Sequence, residues 1–379
     1  MQTALRPNLT LVFTIFSMFF GSGNAIFPIE LGVHHGNGVI AAIFGLGATA
    51  IVLPFAGLTA ITLYHGNLQA FLNQAGKTPA RLLAVTLVLT LGPLVTLPRC
   101  VSVAHASLIP YFPNLSLFWF SWLFCFLAWC CVIRPHHMNT LLGRILSPLL
   151  TSCLFAIITL GLWYRQTPTA NGVNNLDAFT TGFVTGYGTL DLLAALFFGP
   201  TIWNLQPSHT TTQERIGQII VSSLYSFLIL AFIYSGLAYV GSSFPELRHT
   251  ESVFLLAELA QKTLGPFGGM VANFAVVLAC LTTIIGLTLS LGSFRPQRTL
   301  LTPTRYYSAV LLLTAVVAPV GFSQIMIFLT PTLKVVYPAV IVLAFASMLQ
   351  PKLPHPIIKT PTIGAFILAC LAYYWHWTP

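Results

Sequence analysis

Apolar runs of about 20 residues recur along this chain from Leu9 almost to its end, and only 6% of its 379 residues are charged. A soluble domain carries about 25%, so water is not the main solvent here. In hydrocarbon every backbone N–H and C=O must be satisfied internally, which leaves helices and closed barrels as the only spanning structures. The runs are long and continuous, unlike the ten-residue alternating segments of a barrel. The expected fold is an all-α polytopic membrane protein.

The length rule places spans near residues 9–31, 39–63, 81–110, 116–134, 142–164, 176–203, 216–241, 265–293, 303–321, 324–349 and 361–378, about eleven in all. Pro303 to Leu349 admits more than one division, so the range is 10–12. The first run follows Arg6 but has no small-residue cleavage site and is too long for a signal peptide, so it reads as a span.

Sixteen Lys and Arg against seven acids give a formal charge of +9. Their placement explains the excess. With the N-terminus in the cytoplasm, eleven bases fall inside (Arg6, Lys77, Arg81, Arg134, Arg144, Arg215, Arg295, Arg298, Arg305, Lys352, Lys359) and three outside (Arg165, Arg248, Lys262), leaving Arg99 and Lys334 within the membrane. The charge therefore orients the chain and calls for no nucleic acid. The longest loop, about Gly241 to Leu264, is too short to fold alone, so residues 1–379 read as one transmembrane domain. The seven Cys show no zinc spacing and read as small hydrophobes. The His34-His35 and His136-His137 pairs lie in loops without metal-ligand company and read as solvated. No paired carboxylates, metal set or Ser/His arrangement shares a membrane layer, which speaks against an enzyme.

Interrupted helices carry the functional signal, because unwound backbone at membrane depth survives only where protein or a cavity supplies partners. The first segment places Gly21-Ser22-Gly23-Asn24 at mid-membrane, between Phe19-Phe20 and Ala25-Ile26-Phe27-Pro28. Glycine permits the excursion, and Ser and Asn can bond the freed groups; close helix packing by small residues is the competing reading. The sixth segment sets Gly182, Gly186, Gly188 and Asp191 in an apolar run. A carboxylate there is either functional or satisfied locally by hydroxyls. The eighth carries Thr282 and Thr283 after Ala279, hydroxyls that either bond a carbonyl one turn back or offer oxygens to a hard cation. Arg99, near the end of the third span, reads as snorkelling or as pairing with Asp191 or Glu30. Lys334 after Pro331 reads as the anchor of a short re-entrant piece, or as a substitute for a bound cation.

Four signatures resemble the branched-chain amino acid:cation symporter family, the bacterial carriers of leucine, isoleucine and valine. They are Phe20-Gly21-Ser22-Gly23-Asn24 with Ile26-Phe27-Pro28; Gly92-Pro93 with Pro98-Arg99; Gly186-Tyr187 with Thr189, Asp191, Ala194-Ala195-Leu196 and Gly199; and Leu281-Thr282-Thr283 with Gly286. They occur in order from the first segment to the eighth, and the likeness fades after Gly292. Two departures stand out: Ser102 to Ala106 offers no acid where family members carry one after Pro-Arg, and one span fewer is expected than the usual twelve.

The resemblance implies the five-plus-five inverted repeat of the amino acid/polyamine/cation transporter superfamily, with helices 1 and 6 broken. The repeats would cover about 9–164 and 176–349, with an extra helix at about 361–378. It implies sodium-coupled uptake of branched-chain amino acids across the bacterial cytoplasmic (inner) membrane, with no cofactor beyond the coupling sodium ion. By carry-over, Gly21, Ser22, Gly23, Asn24, Gly186, Tyr187, Gly188 and Thr189 line the substrate site, and Gly21, Ala279, Thr282 and Thr283 hold sodium. Asp191, Arg99 and Lys334 remain candidate coupling or structural charges. The alternatives are proton-coupled symport using Asp191 or Glu30, and a passive amino acid facilitator.

Overall fold

The computed structural model describes residues 7–133, 144, 147–163, 174–207, 210–294, 302–348 and 355–375, which are mostly helical, with no strand among them. The His136-His137 pair lies outside the described residues, as do Arg6, Arg134, Arg165, Arg295, Arg298 and Lys352.

The first expected span is two helices. α1 (Leu9–Phe19) ends at Phe20, and α2 (Ser22–His35) starts from an extended Gly21. α3 (Val39–Gly47) continues through a wide π turn, Ala48–Val52, into α4 (Leu53–Leu63). After the short α5 (Leu68–Leu72), the third span is also interrupted: α6 (Lys77–Leu91) stops before Gly92 and α7 (Thr96–Leu108) begins afresh. α8 (Leu117–Val132) and α9 (Ser147–Trp163) follow. The sixth span divides into α10 (Asn175–Gly188) and α11 (Asp191–Asn204), with Leu190 between them in the left-handed region at φ 67°. That conformation costs a non-glycine residue about 1–2 kcal/mol.

α12 (Thr212–Gly241) starts at a capping box in which Thr211 and Glu214 satisfy each other's backbone N–H groups. The following loop makes two single turns, Pro245–His249 and Ser252–Phe254, before α13 (Leu255–Leu291), which kinks at Gly265-Pro266. α14 (Pro303–Val317), α15 (Phe322–Met348) and α16 (His355–Trp375) complete the chain. The re-entrant piece expected at Lys334 is absent: α15 runs as one helix through Pro331 and Pro338, prolines being tolerated in membrane helices where neighbouring groups re-satisfy the freed backbone.

Six helical stretches among the described residues are long and apolar enough to cross a membrane: Ser22–Leu63, Lys77–Leu108, Asn175–Asn204, Thr212–Gly241, Ser252–Leu291 and Phe322–Met348. Four shorter apolar helices accompany them, among them α1, severed from α2 by the break. Large apolar side chains such as Phe44, Trp119, Trp163 and Phe267 face outward, the arrangement expected of a lipid-facing surface.

Between helices in lipid the hydrophobic effect gives little, so close packing of small residues matters. α3 lies along α10, where Gly45 abuts the Phe179 carbonyl and Gly182 the Ala42 carbonyl. α4 packs on α11, α1 and α2 on α12, α7 and α9 on α13, and α8 on α14. The broken ends of α1, α2, α10 and α11 are thereby held together at the centre.

Candidate functional site

A helix end leaves carbonyls without intrahelical partners, and at the end of α1 three of them are met by side chains from elsewhere. Asn24 Nδ2 donates to the Phe19 carbonyl at 2.9 Å. The Thr282 hydroxyl approaches the Ser17 carbonyl at 3.5 Å while donating to Ala279 at 2.9 Å. The Thr283 hydroxyl lies 3.4 Å from the Phe20 carbonyl. The Ser17, Phe20 and Ala279 carbonyls and the two threonine hydroxyls thus converge where α1 stops against α13, at the negative end of the α1 dipole. A Cβ on Gly21 would sit 3.2 Å from Thr283, so glycine lets the break approach α13. Beside Gly21, the carbonyls that face the threonines are those of Ser17 and Phe20. The reason is directional, since helix carbonyls point toward the C-terminus and the orphaned ones precede the break.

Across the break, Asp191 opens α11. Its carboxylate accepts from Asn24 Nδ2 at 2.9 and 3.1 Å and from the Tyr234 hydroxyl at 3.0 Å; Asn24 also touches that hydroxyl. Asp191 is 1% exposed. Local hydroxyls alone do not satisfy it: an amide from α2 and a phenol from α12 tie the two breaks together.

Arg99 is also 1% exposed, so the snorkelling reading is overturned. Because α7 restarts at Thr96, Arg99 sits in its first turn, at the level of the breaks. Its Nε donates to Ser22 Oγ at 3.1 Å and its Nη1 to the Gly188 carbonyl at 2.9 Å. The expected pairing with Asp191 or Glu30 is absent. The one ion pair within 4 Å among the described residues is Lys262 with Glu246.

Gly21, Ser22, Asn24, Arg99, Thr189, Asp191 and Thr283 border one small cavity of about 20 Å³, room for about one water. Tyr187 and Gly188 line a different space, a vestibule of about 580 Å³ between α2, α10 and α15 that also holds Glu30, His34, His35 and Lys334. Gly23 lies against the Arg99 guanidinium. Gly186 lines neither: a Cβ there would meet Thr49 Oγ1 at 1.9 Å, so it is a packing glycine where α10 crosses the π turn. His35 is not solvated, since it is buried with Nδ1 at 2.8 Å from the Leu31 carbonyl. The loop after α12 is tied to α2, with Ser252 donating to Glu30 Oε1 at 2.9 Å and Arg248 Nε to the Val33 carbonyl at 2.9 Å. Sequence reasoning missed Tyr234, an aromatic in an apolar run with nothing local to mark it. It also missed Ser17 and Phe20, which act through backbone.

Among solved structures, the fold is similar to the inward-facing conformation of Mhp1, with a TM-score of 0.57 and 12% identity over 96% of this chain and 90% of that one. It is also similar to a Na+-coupled sialic acid symporter in a substrate-bound outward-open state (TM-score 0.53, 12% identity, 97% and 90% covered). The chain is 29% identical over 368 residues to branched-chain amino acid permease BraB of Bacillus subtilis (strain 168), covering 91% of this chain and 80% of the permease. A family model described as branched-chain amino acid transport protein matches residues 5–374. The chain therefore belongs to that family of integral membrane transporters and is not an enzyme.

Proposed function

We propose that this protein is a sodium-coupled symporter that carries leucine, isoleucine and valine into the cell across the bacterial cytoplasmic membrane, its N-terminus inside. The observation that carries the reading is the convergence of the Ser17, Phe20 and Ala279 carbonyls with the Thr282 and Thr283 hydroxyls. An all-oxygen set at a helix C-terminus suits a hard monovalent cation. Beside it, the first N–H groups of α2, which a helix start leaves without intrahelical partners, can meet a carboxylate.

Helix pairing supports the inverted repeat. The packing of α3 and α4 on α10 and α11 is answered by that of α12 on α1 and α2, the relation expected when about 9–164 and 176–349 are equivalent and about 361–378 is an addition. Energetically one ion is sufficient. Sodium entering at about −100 mV releases about 2.3 kcal/mol, and a tenfold gradient adds about 1.4 kcal/mol, enough for about 500-fold accumulation of a neutral substrate.

A second reading has its own observation. Asp191 is buried, its carboxylate bonded by the neutral donors Asn24 and Tyr234 and not ion-paired to Arg99 within 4 Å, which is where a proton carrier would sit. Glu30, in the vestibule and bonded to Ser252, is the weaker candidate. The test is labelled leucine uptake into proteoliposomes under an inward sodium gradient, a proton gradient or neither. Accumulation with sodium alone supports the proposal. Accumulation with protons alone transfers the coupling to Asp191, and equilibration without accumulation in every arm leaves a facilitator.

A further inference from the structure

A buried guanidinium without a carboxylate partner is expensive, because desolvation of the ion is repaid only by an opposite charge or a full set of acceptors. Arg99 is in that condition. Nε and Nη1 are engaged by Ser22 and by the Gly188 carbonyl; Nη1 also lies 3.7 Å from Met326 Sδ, and the guanidinium stands 5.6 Å from the Phe27 ring centroid. None of these partners is charged. Nη2 has no hydrogen bond to the protein among the described residues, and it occupies the space that a Cβ on Gly23 would need, 2.2 Å from that position.

The location is as telling as the missing charge. Ser22 belongs to the first turn of α2 and Gly188 to the last residue of α10, so Arg99 bridges the two breaks. Phe27, Gly188 and Met326, which touch it, also line the vestibule, while Arg99 itself borders the small cavity at the breaks. A solute descending from the vestibule toward the breaks meets the guanidinium on its way. Asp191, bound through Asn24, stands at the other side of the same α2 turn.

We infer that Arg99 is the receptor for the carboxylate of the transported amino acid, with Nη2 and the N–H groups at the start of α2 gripping the anion while Asp191 faces the ammonium. This deepens the proposed function and rests on it. Guanidinium and carboxylate match as a planar fork, which lysine cannot reproduce. The competing role is purely structural, Arg99 capping the carbonyl end of α10 as a cation at a helix C-terminus.

The discriminating experiment compares binding of L-leucine and L-leucinamide, whose carboxylate is replaced by a neutral amide, to the purified protein in detergent with saturating sodium. Wild type is expected to favour leucine. In Arg99→Gln that preference falls by about 10- to 100-fold, the loss of a hydrogen bond to a charged group, with most of the change in leucine. Arg99→Lys, which keeps the charge and is the safer variant for folding, falls in between. A leucine-to-leucinamide ratio unchanged in Arg99→Lys, and in Arg99→Gln if it folds, overturns the assignment in favour of the cap, which weakens both ligands alike. Wild-type protein that binds neither ligand, nor isoleucine or valine, removes the transport reading and the assignment with it.

Discussion

Thr283→Val is the sharpest perturbation of the cation site, because valine keeps the shape of threonine and removes only the hydroxyl. The Thr283 hydroxyl lies 3.4 Å from the Phe20 carbonyl, beyond the usual O–H···O range, so the protein makes little internal use of it. Its removal therefore costs little folding stability, but it reduces the oxygens available to a cation from five to four. Loss of one polar contact to a charged group is worth about 1.5–3 kcal/mol, or about 10- to 150-fold in the sodium concentration for half-maximal leucine uptake. Maximal uptake should recover at saturating sodium, since the defect is in ion binding. Thr283→Ser restores the hydroxyl and should stay within about threefold of wild type by the same reasoning. The assay is leucine uptake into proteoliposomes against a sodium titration at fixed potential. If Thr283→Val and Thr282→Ala both leave the half-maximal concentration unchanged, the hydroxyls are packing groups and the assigned cation site is wrong.

Three other outcomes follow from local geometry. Gly182→Ala would place a Cβ 2.0 Å from the Ala42 carbonyl and should lower stability by about 1–3 kcal/mol or more in thermal unfolding, whereas Gly364→Ala, with nothing within 4 Å, should be neutral or slightly stabilising. Tyr234→Phe and Asn24→Ala each remove a donor to Asp191, each costing about 1–3 kcal/mol; because they share the carboxylate, the double variant should depart from the sum of the two by at least about 0.5 kcal/mol. Glu214 is held below its ordinary pKa of 4.5 by the Thr211 hydroxyl and backbone N–H. A depressed carboxylate stabilises above its unfolded pKa and loses that contribution as pH falls through the folded one. Hydrogen exchange, corrected for intrinsic rates, should show the first turn of α12 loosening in that acid window, and Thr211→Val, which keeps only the backbone N–H bond to Glu214, should shrink the step.

Much of this site was legible as chain chemistry. Gly21-Ser22-Gly23-Asn24 marks a break because no ordinary span needs two glycines and an amide at mid-membrane, and α1 does stop there. The Gly188 to Asp191 break was visible for the same reason, although the residue taking the left-handed turn is Leu190, which local propensity argues against. Arg99 was misplaced because an unbroken third span puts it near a membrane face. Nothing in the Gly92-Pro93 motif alone marks it as a helix stop, and the stop is what lowers Arg99 to the level of the breaks. Gly186 shares its neighbours' composition and differs only in facing Thr49, which periodicity within one helix does not reveal. Tyr234 was silent because its partner is 43 residues away.

One break serves two ligands under the proposed reading, and this is how coupling arises without a dedicated relay. Upstream of Gly21 the carbonyls of Ser17 and Phe20 turn toward α13; downstream, Ser22 and Asn24 turn toward Arg99 and Asp191. A cation drawing the α1 carbonyls onto Thr282 and Thr283 fixes the end of α1, and with it the start of α2. The α2 start is the surface on which the amino acid would be gripped, so the ordering cost is met once for both ligands. Thermodynamic linkage then requires the reverse, that an amino acid held between Arg99 and Asp191 tightens sodium by the same factor as sodium tightens it. The 20 Å³ cavity has no room for an amino acid while the vestibule above it measures 580 Å³, so entry must separate α2 from α10. Arg99 spans that seam through Ser22 and Gly188, and a carboxylate competing for the guanidinium weakens the contact that holds it shut.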